Sequence, residues 1–262
     1  MHHETMQAPE ELPGPFAVAA RRLKAILGLE TDPVAVFLRP AASGRDPAFD
    51  AFTKVDSHRY CQVLMRARRG ESLRLEPAEL ACPAAAAAFG FRPLPEGLAT
   101  GKGLVGYGIV AEASTGRVMF EGMTRLASGS VGWIAACPLA LAPGPPDVVV
   151  VEGPPEPLMW LALADLNLTG GKRRRGDTAV LQATCVDATV IPHLEQRLNF
   201  SLGCYGCREA TDMTPSETIL GFPGAALTPL VAALEQLSTK AIGRSRGKNV
   251  LRALNQELGR TS

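Results

Sequence analysis

The residues of this sequence that could carry out chemistry are first of all its six cysteines. Cys204 and Cys207 enclose a tyrosine and a glycine, and this two-residue gap lets both sulfurs turn toward one centre. The same spacing occurs in zinc sites, in iron–sulfur sites and in dithiol redox sites. The pair therefore indicates thiol chemistry and leaves open whether it serves a metal or a redox reaction.

Three of the other cysteines stand at the ends of predicted elements. Cys82 precedes Pro83, which would make it the N-cap of a helix, where the helix dipole favours a thiolate. Cys137 ends an apolar strand, so we expect it to be buried. Cys185 follows a predicted strand, Ala179 to Thr184, and strand ends are common positions for functional sites in α/β sheets.

Cys61 lies in a predicted helix with Leu64 and Met65 on roughly its side, and a buried structural role is one interpretation of it. His58 precedes Cys61 by three residues, which would place both on one helical face. His193 lies downstream of Cys185. Either histidine could supply a nitrogen ligand, and surface or capping roles are equally open.

Two further motifs carry less information. Residues 101–106 match G-x-G-x-x-G, but no strand precedes them, so the pattern does not predict a dinucleotide site. Residues 172–175 form a basic run, Lys-Arg-Arg-Arg, in a loop that follows two glycines. Such a run is typical of a solvated surface, and it could also hold a phosphate or an acidic partner.

Composition limits the classes of partner. The 262 residues have a formal net charge of +1, so we expect no nucleic-acid partner. No stretch approaches the roughly 20 apolar residues of a spanning helix, and Met1 to Pro13 lacks the order of a signal peptide. We therefore expect a cytoplasmic protein that does not bind membranes and whose cysteines are reduced thiols.

Strands alternate with helices along the chain, which predicts an α/β or α+β fold: a mixed sheet flanked by helices, with a C-terminal amphipathic helix. The predicted strands are residues 33–39, 131–136, 147–151, 179–184, 200–202 and 219–222. The predicted helices are residues 16–27, 58–69, 83–89, 155–169 and 225–237. Residues 90–129 are rich in glycine and suggest a helix followed by an irregular hairpin.

The same pass along the chain divides it into three parts. We expect residues 1–13 to be disordered, residues 14–238 to form a single domain, and residues 239–262 to form a basic linker and a terminal helix. The apolar stripe of that helix consists of Val250, Leu251, Leu254 and Leu258. It could pack on its own chain or mediate a homo-oligomer.

Several segments resemble one known family. In the N-terminal half these are Pro33-Val-Ala-Val, Arg59-Tyr-Cys-Gln-Val-Leu-Met-Arg-Ala-Arg-Arg-Gly70 and Cys82-Pro-Ala-Ala. In the C-terminal half these are Pro146-Asp-Val-Val-Val, Thr169-Gly-Gly, Cys185-Val-Asp-Ala, Ser201-Leu-Gly-Cys-Tyr-Gly and Ile219-Leu-Gly-Phe-Pro. In this order they resemble the domain-of-unknown-function family one-six-nine, also called the ArCR-type family.

The resemblance implies that the cysteines matching the family pattern are Cys61, Cys82, Cys185 and Cys204. Similar proteins often have serine where this chain has Cys137, and the position of Cys207 is not usually cysteine. Four dispersed cysteines would complete a Cys₄ site for an iron–sulfur cluster or, alternatively, zinc. Cys207 is then an alternative ligand that could replace one of the four.

Three hypotheses follow for function. The first is a thiolate-metal or iron–sulfur protein with a redox or cofactor-related role, whose partner is a redox protein or a small molecule. The second is a non-catalytic sensor that binds a small anion, for which the candidate residues are Arg59, Arg66, Lys172 and Arg173. The third is a dithiol redox protein that uses Cys204 and Cys207.

Overall fold

A computed structural model describes residues 14–257 and Gly259. The segment predicted to be disordered, residues 1–13, and Leu258 of the terminal stripe lie outside these residues. The strands are β1 (Val34–Pro40), β2 (Thr53–Lys54), β3 (Leu73–Leu75), β4 (Val131–Pro138), β5 (Val148–Gly153), β6 (Asn199–Ser201) and β7 (Thr218–Pro223). They form one seven-stranded sheet in the order β2-β3-β4-β1-β5-β7-β6.

Helices flank this sheet, which is mixed because β2 and β3 are parallel while the other neighbours are antiparallel. The α-helices are α1 (Pro15–Leu27), α2 (Tyr60–Ala67), α3 (Pro83–Ala88), α4 (Glu96–Ala99), α5 (Lys102–Gly106), α6 (Ala113–Glu121), α7 (Pro155–Leu168), α8 (Ile191–Glu195), α9 (Tyr205–Ala210), α10 (Leu227–Leu237), α11 (Gly243–Arg246) and α12 (Asn249–Glu257). The predicted fold class is thus confirmed, including its C-terminal helix.

The central strands are apolar on both faces because each face is covered. In β1, Val34 and Val36 belong to one hydrophobic core, while Ala35 and Phe37 belong to the other. The second core contains residues of α1, α7 and α10, whereas the first contains residues of α2, α3 and α9. Burial on both faces explains why these strands have no alternation of polar and apolar residues.

Local signals fix several element ends. Helix α1 stops at Gly28, whose left-handed φ of 71° only glycine adopts without a steric penalty. Cys82 is the N-cap of α3, with Pro83 as the first helical residue, as the sequence predicts. Cys137 lies in β4 and is buried, which confirms the expectation for it.

The strand predicted over residues 179–184 is wrong. Val180 and Gln182 have φ values of 50° and 59°, which are incompatible with an extended strand. The chain instead enters a fully buried π-helix, Ala183–Val190. Cys185 therefore lies in the π-helix and not at a strand end, and π-helical segments are frequent at functional sites.

The hairpin predicted within residues 90–129 is also wrong, since this region folds into α4, α5 and α6. We call residues 96–121 the cap. The three short helices pack closely: a Cβ on Gly101, where φ is 76°, would lie 2.1 Å from the carbonyl oxygen of Ala113. The glycines of this region thus serve close helix packing, and the G-x-G-x-x-G match opens α5 without a preceding strand.

The predicted basic linker is helical as well. It consists of a second π-helix, Ser238–Ile242, followed by α11. Arg246 anchors α11 to the body, because it donates hydrogen bonds to the carbonyl oxygens of Ile26 (2.9 Å) and Leu27 (2.8 Å) and pairs with Glu156. No helix among the described residues is long and apolar enough to cross a membrane.

Candidate functional site

Most of the cysteines line one cavity of about 460 Å³, which lies between α2, α3, α9, the π-helix Ala183–Val190 and the cap. The cysteines that line it are Cys61, Cys82, Cys185, Cys204 and Cys207. Cys137 faces the opposite core, on the other side of the sheet. The four cysteines that the family resemblance singles out are therefore brought together, and Cys207 accompanies them.

Four separate segments position these thiols. Cys61 is the second residue of α2, and Cys82 caps α3. Cys185 is held by the π-helix, where its sulfur lies 3.6 Å from the carbonyl oxygen of Gln182. Cys204 caps α9, and its side chain accepts a hydrogen bond from the backbone N–H of Cys207. The convergence thus depends on the tertiary fold and not on one local motif.

The two cysteines of the Cys-x-x-Cys segment lie closest together. Their sulfurs are 2.9 Å apart, and the backbone nitrogen of Cys207 lies 3.1 Å from the sulfur of Cys204. Both are free thiols. The hydroxyl of Thr184, from the π-helix, lies 3.4 Å from the sulfur of Cys207. The first turn of α9 therefore directs both thiols into the cavity wall beside the π-helix.

Burial and mutual proximity keep three of these thiols protonated, those of Cys185, Cys204 and Cys207. Burial raises the pKa of Cys185 well above that of a free thiol, and the neighbouring Cys82, Cys207 and Cys204 raise it further. The hydrogen bond with Cys207, together with burial, raises the pKa of Cys204. The bond with Cys204 lowers the pKa of Cys207, but a hydrogen bond with Cys61 and burial outweigh it and raise the value to about 12. All five thiols thus belong to one interacting group.

The cavity wall offers little positive charge to offset thiolates. Arg59 is the basic side chain among the described lining residues. Its guanidinium donates hydrogen bonds to the carboxylate of Glu209 (2.9 Å) and to the carbonyl oxygen of Gly206 (3.3 Å). The charge of Arg59 is therefore compensated by α9, which the same contacts tie to the start of α2.

Other predicted site residues lie away from the cavity. Arg66 pairs with Glu71 and donates to the Nε2 atom of His58, whose Nδ1 atom lies 2.5 Å from the carbonyl oxygen of Asp56. Both ring nitrogens of this histidine are thus engaged. Lys172 and Arg173 follow α7 in an exposed loop, and His193 lies in α8; none of the three lines the cavity.

Sequence reasoning missed several lining residues. Gln182 and Thr184 enter through the π-helix segment, and the cap contributes an apolar wall of Leu98, Leu104, Tyr107, Ile109 and Phe120. Nothing in the local sequence marks Gln182, because its left-handed backbone is visible only in the structure. Within the described part of the chain, no group of three or more His, Cys, Asp or Glu side chains lies close enough as it stands to hold one metal ion.

Comparison with known proteins finds relatives of this sequence. A family model described as "Uncharacterised ArCR" (DUF169) matches residues 22–233. An uncharacterized protein of Methanocaldococcus jannaschii is 28% identical over 219 residues, which cover 82% of this chain and 92% of that protein. No solved structure matches.

Proposed function

We propose a function for this chain, which belongs to the uncharacterised ArCR family, from the chemistry of its cavity: it binds an iron–sulfur cluster or another thiophilic metal centre. The observation that carries the proposal is that five cysteines from four separate segments line one cavity while the sixth lies on the other side of the sheet. Cys61, Cys82, Cys185 and Cys204 are the proposed ligands, with Cys207 in reserve.

The charge balance of the cavity sets what a bound centre would have to supply. Thiolates bind metals, but the raised pKa values of Cys185, Cys204 and Cys207 mean that the protein alone disfavours thiolate charge at these positions. Arg59 cannot offset that charge because Glu209 already pairs with it. A bound metal supplies the missing positive charge and deprotonates the cysteines that ligate it.

The distribution of the thiols favours a polynuclear centre over a single ion. Four sulfurs around one zinc ion lie about 3.8 Å from one another, as follows from a tetrahedral site with Zn–S distances of about 2.3 Å. Here the thiols line a cavity of about 460 Å³, and no three of the described ligand side chains lie close enough as they stand to hold one ion. A cluster of this kind would supply one-electron redox chemistry. The protein would supply the thiolates and a largely apolar wall, two features that set a cluster's potential.

The test is metal analysis of anaerobically purified and reconstituted protein, with iron, sulfide and zinc measured per chain and an ultraviolet–visible spectrum recorded. We expect stoichiometric iron with sulfide and a thiolate-to-iron absorption band. Serine replacement of Cys61, Cys82, Cys185 or Cys204 should each reduce the bound iron severalfold. Protein that holds neither iron nor zinc under these conditions would overturn the proposal.

Cys137→Ser is the matched control. It makes the same change of sulfur to oxygen in a buried cysteine, but in the opposite core, where burial raises the thiol pKa to about 12. We expect this variant to keep the full metal content. Equal losses of metal in Cys137→Ser and in the cavity variants would mean that serine acts through folding and not through ligation.

A dithiol redox function is a second candidate, favoured by the 2.9 Å approach of the Cys204 and Cys207 sulfurs. In that reaction the two thiols would form one disulfide and give two electrons and two protons to the disulfide of a partner protein, which becomes two thiols. Its signature is rapid alkylation of one of the two thiols at neutral pH. The raised pKa values of both cysteines argue against this candidate.

The remaining expectations depend on the same centre. A thiolate-metal site requires reduced cysteines, so we expect a reducing compartment such as the cytoplasm. A redox role would require a partner protein or a small-molecule substrate. The small-anion hypothesis has less support, because Arg59 is compensated and Arg66, Lys172 and Arg173 lie outside the cavity.

A further inference from the structure

The thiols form only part of the cavity wall. Its volume of about 460 Å³ falls within the range of small-molecule pockets, roughly 300–1,000 Å³. Another part is formed by the apolar side chains of the cap, Leu98, Leu104, Ile109 and Phe120, together with Tyr107, and we call this part the cap end. Tyr107 is 72% exposed although it lines the cavity, so this part of the wall is accessible to solvent.

One polar residue of the same cavity lining has an unusual backbone conformation. Gln182 lines the cavity with only 8% of its surface exposed, and its side-chain amide has no hydrogen-bond partner among the described residues. Its φ of 59° is in the left-handed region, which is unfavourable for a non-glycine residue. Strain of this kind persists where the surroundings impose it, and it clusters at functional sites.

The backbone of Gln182 is fixed from the other side. Its carbonyl oxygen accepts hydrogen bonds from the N–H groups of Val186 (2.8 Å) and Asp187 (3.3 Å) at the start of the π-helix. The backbone from which the side chain projects is thus fixed, while the amide itself makes no hydrogen bond to the described residues. Such an amide offers one donor group and one acceptor to a ligand.

The charges around the cavity indicate the ligand class. Because Arg59 is paired with Glu209, the lining side chains present no uncompensated charge of either sign. We propose that the cap end of the cavity binds a small neutral organic molecule, which packs its apolar body against the cap and hydrogen-bonds Gln182 through an amide or carbonyl group. This inference shares the cavity with the proposed metal centre but does not rest on it.

The test uses 3-phenylpropanamide as a probe, with 3-phenylpropanoate and 3-phenylpropylammonium as charged analogues of matched shape. Binding to the full chain is measured by ligand-observed NMR. We expect the amide to bind at least tenfold more tightly than either ion. Absence of amide binding at millimolar concentration, or equal binding of the carboxylate, would overturn the proposal.

Two variants locate the site. Gln182→Gly removes the amide and relieves the left-handed strain, so the variant should fold at least as stably while it binds the probe about tenfold more weakly. Ile109→Trp fills the cap end and should abolish binding, whereas Val118→Trp, on an exposed position of α6, should not affect it. Full probe binding by either of the first two variants would show that the probe binds elsewhere.

Metal content of Gln182→Gly separates this inference from the proposed function. We expect the variant to retain its metal while it loses the probe. A chain that binds the probe but no metal would overturn the proposed function alone. A chain that holds metal but does not bind the probe would overturn the present inference alone.

Discussion

The hydroxyl of Tyr60 lies 2.9 Å from the Oγ1 atom of Thr189 and joins two of the segments that carry the cavity cysteines. Tyr60 precedes Cys61 in α2, and Thr189 lies in the same π-helix as Cys185. Thr189 donates its own hydroxyl hydrogen to the carbonyl oxygen of Thr184 (2.8 Å), so Tyr60 must be the donor in this pair. Burial raises the pKa of Tyr60, which keeps that donor in place.

This direction of donation predicts unequal effects of two substitutions. Tyr60→Phe removes a donor and leaves Thr189 bonded to Thr184, so we expect a loss of about 1 kcal/mol in the free energy of unfolding. Thr189→Val leaves the buried Tyr60 hydroxyl without a partner, so we expect a loss of about 2 kcal/mol. Urea titration monitored by circular dichroism measures both. The reverse order of the two losses would contradict the assigned donor.

The contact of β7 with the π-helix is tight at Gly221. A Cβ there would lie 1.9 Å from the carbonyl oxygen of Ala188, a backbone atom that cannot move without shifting the π-helix. We expect Gly221→Ala to destabilise the protein by about 3 kcal/mol and to lower its metal content by displacing Cys185. Thermal unfolding and metal analysis measure the two effects.

Gly153→Ala is the control for this prediction. Gly153 ends the neighbouring strand β5, and the nearest atom to an added Cβ is the tip of the Leu29 side chain at 3.7 Å, an ordinary contact. We expect the variant to differ from the parent by less than about 0.5 kcal/mol. Comparable losses at the two glycines would mean that the alanine effect is not due to the approach of Ala188.

The parts of the fold that sequence reasoning predicted are those with a local cause. Gly28 ends α1 because only glycine adopts its φ cheaply, and Cys82 caps α3 because Pro83 opens a helix. The π-helix escaped prediction because tertiary burial creates it. All eight of its residues are buried, and its onset depends on the left-handed backbone of Gln182.

The candidate site was predictable only in part for the same reason. The family resemblance selected Cys61, Cys82, Cys185 and Cys204, and the fold brings all four to one cavity. Spacing within the chain could not show this convergence, since the four cysteines lie on separate segments. The cap wall was missed because a glycine-rich stretch predicts irregular structure, while here the glycines allow helices to approach closely.

The terminal helix α12 bears on the expected homo-oligomer. Leu251 and Leu254 are 54% and 48% exposed, so the stripe does not pack fully on its own chain. We predict that the full chain self-associates and that a chain ending at Gly247 is monomeric, as measured by light scattering. The shortened chain keeps α11, whose Arg246 bonds to the end of α1. A change in the measured mass would therefore be due to the loss of α12 itself. The same mass for both chains would contradict the prediction.

Glu152 makes stability depend on pH. Burial raises its pKa to about 7, which the nearby Arg68 only partly offsets, and neither carboxylate oxygen makes a hydrogen bond. The pKa of Glu152 in the folded state exceeds its value in the unfolded chain. The contribution of protonated Glu152 to the free energy of unfolding is therefore complete below about pH 4.5 and is lost as the pH rises through 7. Asp187, whose pKa burial also raises to about 7, adds a loss of the same sign.

We therefore expect the free energy of unfolding to decrease by about 2 kcal/mol less between pH 5 and pH 8 in Glu152→Gln than in the parent, because the amide stays neutral throughout. Arg68 keeps two other carboxylates, Glu217 at 2.6 Å and Asp212 at 3.5 Å, so the variant should still fold. Part of the fall should persist through Asp187 and disappear when Asp187→Asn is added. Urea titrations across this range measure the effect, and an unchanged pH profile in Glu152→Gln would mean that Glu152 is already ionised below pH 5.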